Sequence, residues 1–300
     1  MKRDLVIIEA PFNLGLKAKN EHHIPGVNKL PQWLHQFGFH GKLDTKKIIH
    51  INPPPYTSII DRDSMIMSCD EINAYSHKLG DTIQKAVHTN QFPIVLGGDC
   101  SILIGCALGV RMIGQFGLFF IDGHTDYMPP EFSGTKAAAG MDLYIVTGHA
   151  HPKISNMRGL QPYFEEDNVL AFGNREFDSS YVDYILSSNI DYWDLPAVRS
   201  ISPETIAGNY LQKVIESNLN GIWVHLDVDA LHNDLMPAVD SPNSDGLTYQ
   251  ELSVTLEMIL KHPLTKGIDI TILDPDLDQD GNLTKVFVKE LTTIINKACT

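Results

Sequence analysis

The stretch at 117–126 constrains this chain most: Leu118, Phe119, Phe120 and Ile121 run directly into Asp122, Gly123, His124, Thr125 and Asp126. Consecutive apolar residues fit a strand buried on both faces of a parallel sheet, and the polar residues begin where such a strand ends. Open α/β sheets keep their sites at that edge. With the backbone extended through the turn, Asp122, His124 and Asp126 stand two apart and project to one side, bringing two carboxylates and an imidazole together. Oxygen donors with one nitrogen suit Mn²⁺ first, then Zn²⁺, Fe²⁺ or Ni²⁺, and a bridging carboxylate can hold two ions. The same residues also suit an ordinary solvated turn, where Asp and Gly are common.

The rest of the chain repeats the pattern. Apolar runs predict strands over 5–10, 47–51, 92–96, 117–121, 168–172, 190–193, 221–226 and 268–273, and residues 13–31, rich in Gly, Asn, His and Pro, read as a long surface loop. Ile72, Tyr75, Leu79, Ile83 and Val87 recur at helical spacing. A second helix is capped by Ser202 and Pro203, and a third follows Thr248. Strands alternating with helices argue for a three-layer α/β/α fold around an eight-stranded, mostly parallel sheet. With 300 residues, 43% of them hydrophobic, the chain is expected to form one domain over 1–300.

A net charge of −14 with no basic run argues against nucleic acid or anionic membranes as partners. No stretch is long and apolar enough for a membrane span or a signal peptide core. Cys69, Cys100, Cys106 and Cys299 form no CxxC pair. The expectation is a cytoplasmic protein with reduced thiols that acts on a small molecule.

Two further strand ends carry chemistry. The third strand runs into Gly97-Gly98-Asp99-Cys100-Ser101, and the seventh, containing His225, runs into Asp227-Val228-Asp229. Together with Ile8-Glu9-Ala10-Pro11-Phe12, Ile121 to Asp126, Met236-Pro237-Ala238, Ser241-Pro242 and Gly246-Leu247-Thr248, these segments resemble the ureohydrolase family, which includes arginase, agmatinase and formimidoylglutamase. The resemblance spans nearly the whole chain. It implies a binuclear manganese site, with two Mn²⁺ per chain, and hydrolysis of a non-peptide C–N bond in an amidine or guanidine. Asp122 and Asp227 would be shared between the metals, with Asp126 on the first and His124 and Asp229 on the second. A hydroxide held between the metals would attack the amidine carbon, and a nearby acid would protonate the departing nitrogen. Family members commonly form trimers or hexamers, so a homo-oligomer is expected.

This sequence departs from the family in three places. Cys100 stands where the family's glycine-glycine-aspartate motif continues with histidine. It fits a softer metal ligand that favours Zn²⁺ or Fe²⁺, a structural thiol beside a weakened site, or a nucleophile beside a single metal. Ala139 replaces a histidine that arginases use for proton transfer, and His149, His151 and His225 are candidate substitutes. His225 is the best placed, because it shares a strand face with Asp227. Ile272 stands where arginases and agmatinases place the glutamate that receives the guanidinium, which points away from free arginine or agmatine. Asp274, two residues on, is a candidate replacement, and Arg175 is a candidate for a substrate carboxylate or an internal ion pair. The acidic run Asp274, Asp276, Asp278 and Asp280 reads as a surface turn. The leading expectation is a metal-dependent hydrolase of a linear amidine. The alternative is a catalytically weak or inactive homologue that binds metal in a regulatory role.

Overall fold

The computed structural model describes residues 2–20, 23–45, 47–176 and 178–299. Eight strands form one sheet: β1 (Asp4–Glu9), β2 (Lys47–His50), β3 (Gln91–Leu96), β4 (Phe116–Ile121), β5 (Val169–Asn174), β6 (Asp191–Asp194), β7 (Gly221–Asp227) and β8 (Thr265–Thr271). All eight expected strands are present, most with ends within two residues of the sequence reading. The largest difference is β8, which starts earlier and stops at Thr271 because Ile272 takes a left-handed φ of 75° that a ladder cannot continue.

The spatial order is β2-β1-β3-β8-β7-β4-β5-β6, and every pairing is parallel. The last two strands in the chain therefore fill the gap between β3 and β4. The carboxyl ends of β3, β8, β7 and β4 thus lie side by side at the centre, where the strand order switches and where open α/β sheets place their sites.

Alternation along each strand feeds two cores. Ile7, Ile94, Phe119, Ile121 and Val224 point into one. Val6, Ile8, Val95, Leu118, Phe120 and Trp223 point into the other. The first core is closed by α1 (Leu30–Gln36), and the second by α2 (Cys69–His88) and α3 (Ile102–Arg111), which lie against each other. A short helix, α4 (Asp142–Val146), follows on the second side. The first core is completed by α5 (Pro203–Glu216), α6 (Tyr249–Lys261) and α7 (Asn282–Cys299). The expected caps are in place: Ser202 accepts from Thr205 N, and Thr248 and Glu251 form a reciprocal capping box. The helix α3 had no sequence signature, because every residue from Ile102 to Val110 is buried and no polar face marks the period.

Residues 13–31 are not simply a surface loop. Asn13, Leu14, Leu16 and Val27 are buried, and α1 starts at Leu30; Glu21 and His22 lie outside the described residues. The segment is drawn in by hydrogen bonds to the loop after β3 and to Ala139. Gly15 N donates to Asp99 Oδ2 at 2.8 Å, Ala139 N donates to Gly15 O at 3.0 Å, and Asp99 N donates to Phe12 O at 3.0 Å. A Cβ on Gly98 would sit 1.5 Å from Phe12 O, so only glycine allows this approach. Gly98→Ala is therefore expected to destabilise the fold by about 1–3 kcal/mol or more, as overpacking against backbone does. Urea unfolding of the two proteins measures it.

Candidate metal centre

Asp99 and Cys100 follow β3. Asp99 is fully buried, and burial pushes its carboxyl up to about 6. Its oxygens take Ser101 N, Ser101 Oγ and Gly15 N, so it shapes the loop instead of facing the centre. That leaves Cys100 turned inward, with Sγ 2.7 Å from Asp227 Oδ2 and 3.2 Å from Thr271 Oγ1. Burial, followed by the nearby Asp227, Asp142, Asp122 and Asp126, raises its thiol well above the usual value.

The polar end of β4 does not stay extended. Asp126 takes a left-handed φ of 43°. Asp122 Oδ1 accepts from His124 N at 2.7 Å, Asp229 N donates to Asp227 Oδ1 at 2.7 Å, and Gly123 N donates to Asp229 Oδ1 at 3.1 Å. Each carboxylate thus spends one oxygen on a backbone amide and keeps the other for the centre. Two sets of donor atoms result, each within 4.8 Å of one another: Cys100, Asp122, His225 and Asp227, and Asp122, His124 and Asp229. Asp122 belongs to both sets. Asp227 belongs to the first only, and Asp126 stands outside both.

The charges are unbalanced. Burial and mutual repulsion raise Asp122, Asp126, Asp142 and Asp227 well above the usual carboxylate range. Asp229 is lowered against its burial by His124, whose Nδ1 lies 2.9 Å from Asp229 Oδ2. His124 in turn is pushed up to about 10 despite burial. Asp122 Oδ2, both oxygens of Asp142 and His225 Nε2 are buried without a hydrogen-bond partner. Asp122 and His225 belong to one donor set, where buried atoms left unpaired are costly unless a cation fills the site, and the oxygen, nitrogen and sulfur donors here fit divalent metals. Cation uptake must displace protons from His124 and the raised acids. Adding metal to weakly buffered protein is accordingly expected to acidify the solution, and apparent affinity is expected to fall by about tenfold per pH unit for each proton displaced. Titrations at pH 6 to 8 check this.

Two participants escaped the sequence reading. Asp142 opens α4, is fully buried, and adds a carboxylate close enough to raise the Cys100 thiol. Asp269, between Ile268 and Ile270 in β8, is also fully buried and bonds Trp223 Nε1 and His225 Nδ1, each at 2.5 Å. An acid inside an apolar strand was the available signal.

The other candidates are placed as follows. Arg175 reaches the centre's rim, where its Nη2 donates to Asp229 O at 2.5 Å and its N donates to Gly123 O at 2.9 Å. Asp274 accepts from Gly26 N and Asp276 N and caps the short turn after it. His149 pairs with Glu166, and His151 caps Pro152–Ser155, so both have structural roles. Ile272 is buried in the core, and its N donates to Gly98 O. The acidic run is only partly a surface turn, since Asp278 is buried and accepts from Thr284 N and Oγ1 at the start of α7.

A central parallel sheet whose carboxyl rim gathers acids, imidazoles and a thiol defines an α/β/α protein with a metal-binding cluster. Residues 3–295 match the family model described as "Arginase: Arginase family", and the chain belongs to the arginase family. The chain is 26% identical to an arginase of Bacillus subtilis over 245 residues, covering 79% of this chain and 80% of that one. It is 23% identical to an arginase of Brevibacillus brevis over 298 residues, covering 98% of each. The crystal structure of Bacillus caldovelox arginase superposes with a TM-score of 0.86 over 98% of both chains at 24% identity. Among the described residues no helix is long and apolar enough to cross a membrane.

Proposed function

We propose that this chain hydrolyses a linear amidine-type C–N bond with two divalent cations bound, on a substrate other than free arginine or agmatine. The observation that carries the reading is the meeting of Asp122 and Asp227, from strand ends more than a hundred residues apart in sequence, in one buried set of donors. Family membership supplies the reaction class. Cys100, Asp122 and Asp227 would hold one cation, and Asp122, His124 and Asp229 the other. Bound cations lower the pKa of water and polarise the group under attack.

The chain's own residues set the rest. Arg175 pins the Asp229 carbonyl, and Gly123 N and His124 fix the carboxylate oxygens, so the second set is pre-organised. Ile272 offers a guanidinium no counter-charge, and Asp274 is already bonded to backbone amides. A substrate that carries less positive charge at the amidine suits this wall better. Ala139 moves no proton, which favours a second reading, a cation-dependent binding protein with little turnover.

A turnover screen separates the two. Guanidino, formimino and N-hydroxyguanidino compounds are incubated with protein loaded with Mn²⁺, Fe²⁺, Ni²⁺ or Zn²⁺, and urea, ammonia or formamide is measured. Release from one class that disappears in Asp122→Ala supports the hydrolase. Ligand-induced thermal shifts without product support the binding protein.

A further inference from the structure

We propose that His225 is a metal ligand, so that the first cation is held by the Cys100 sulfur, the His225 imidazole and the Asp122 and Asp227 carboxylates, a donor set that prefers Zn²⁺, Fe²⁺ or Co²⁺ to Mn²⁺. The proposal rests on the reading of this site as a cation centre and deepens it.

The imidazole is held from two sides. His225 on β7 lies in register between Phe120 on β4 and Asp269 on β8. Its ring stacks on Phe120 with centroids 4.8 Å apart at 15°. Its Nδ1 lies 2.5 Å from Asp269 Oδ2, and the other Asp269 oxygen is taken by Trp223 Nε1. A carboxylate can only accept, so Nδ1 carries the proton and Nε2 carries the free lone pair. That nitrogen is buried without a partner and lies within 4.8 Å of the donor atoms of Cys100, Asp122 and Asp227.

A histidine that served only the core would have both nitrogens satisfied. A proton shuttle would need a path to solvent, and the His225 side chain is 0% exposed. A carboxylate behind one nitrogen with the other aimed at a cluster of anionic donors is how proteins orient metal-bound imidazoles. The imidazole absent from the β3 loop is thus supplied by β7, two strands away across β8. Sulfur and nitrogen beside two carboxylates soften the set and move its preference away from Mn²⁺, which favours oxygen donors.

The test uses the full chain loaded with Co²⁺ or Zn²⁺ after chelation, with bound metal counted and the near-ultraviolet thiolate-to-Co²⁺ absorption recorded. Wild type is expected to show that absorption, and Cys100→Ser to lose it. His225→Asn preserves a donor toward Asp269 but removes Nε2. It is expected to weaken the first equivalent at least about 100-fold and to alter the visible Co²⁺ spectrum. Asp269→Asn, a positioning change that leaves both ligands in place, is expected to weaken binding about 10–100-fold while retaining the thiolate absorption. It serves as the second variant should His225→Asn fail a thermal-melt check. Unchanged stoichiometry, affinity and spectrum in either folded variant overturn the proposal. Because no readout is turnover, a chain that binds cations this way yet cleaves no amidine would sink the hydrolase reading and leave this one intact. Turnover that persists in a His225→Asn protein with both cations tightly held would do the reverse.

Discussion

Asp227→Ala is expected to abolish retention of the first cation and to lower turnover by roughly 10³-fold or more, on the order of the 4 kcal/mol that a Lewis-acid metal contributes. The size follows from position. Asp227 bonds the Cys100 thiol through one oxygen and fixes Asp229 N through the other, so its loss disturbs both donor sets. The fold should survive, because truncation removes a buried acid that repels Asp122 and Asp229 in the cation-free protein. Metal analysis after gel filtration and a thermal melt together decide the matter. Retention of two cations with full turnover would place the chemistry elsewhere.

The second large effect has opposite signs in the two states. Asp122→Asn keeps an acceptor for His124 N but removes a charge from the most crowded point of the centre. In chelated protein it is expected to raise stability by roughly 1–3 kcal/mol, since the amide needs no proton at neutral pH. With cation present the order reverses. Wild type gains about 2.7 kcal/mol at a concentration 100 times its Kd, whereas the variant gains little. The pH dependence has a definite sign. The folded Asp122 carboxyl lies well above its ordinary 3.8, so chelated wild type is most stable below that value and loses stability as pH rises toward the folded pKa. The variant should show a flatter profile. Thermal melts with chelator and with Mn²⁺ or Zn²⁺, from pH 4 to 8, test all of these signs.

Much of this was legible in the sequence, for identifiable reasons. Strands buried on both faces leave apolar runs such as 118–121 that stop abruptly at polar residues, so the eight strands and the acidic ends of β4 and β7 announced themselves. Strand order did not, because nothing local says that β7 and β8 slot between β3 and β4. The helix α3 was silent for want of a polar face. The setting of His225 was hidden for a related reason. Its spacing from Asp227 placed it on the correct side of the strand, but its orientation depends on Asp269 and Trp223, and Asp269 comes from a partner strand that pairing alone reveals. The kink at Asp126 was equally hidden, since extended geometry was the simplest assumption for residues two apart.

The late insertion of β7 and β8 sets a timetable for biogenesis. While a ribosome has delivered only the first half of the chain, β3 and β4 have no neighbours at the middle of the sheet, and two hydrogen-bonding edges stay bare. Nascent polypeptide arrested before Gly221 would present the loop with Cys100 and the turn with Asp122 but neither of the strands that join them. Shortened products thus expose sticky edges that invite chaperones or degradation.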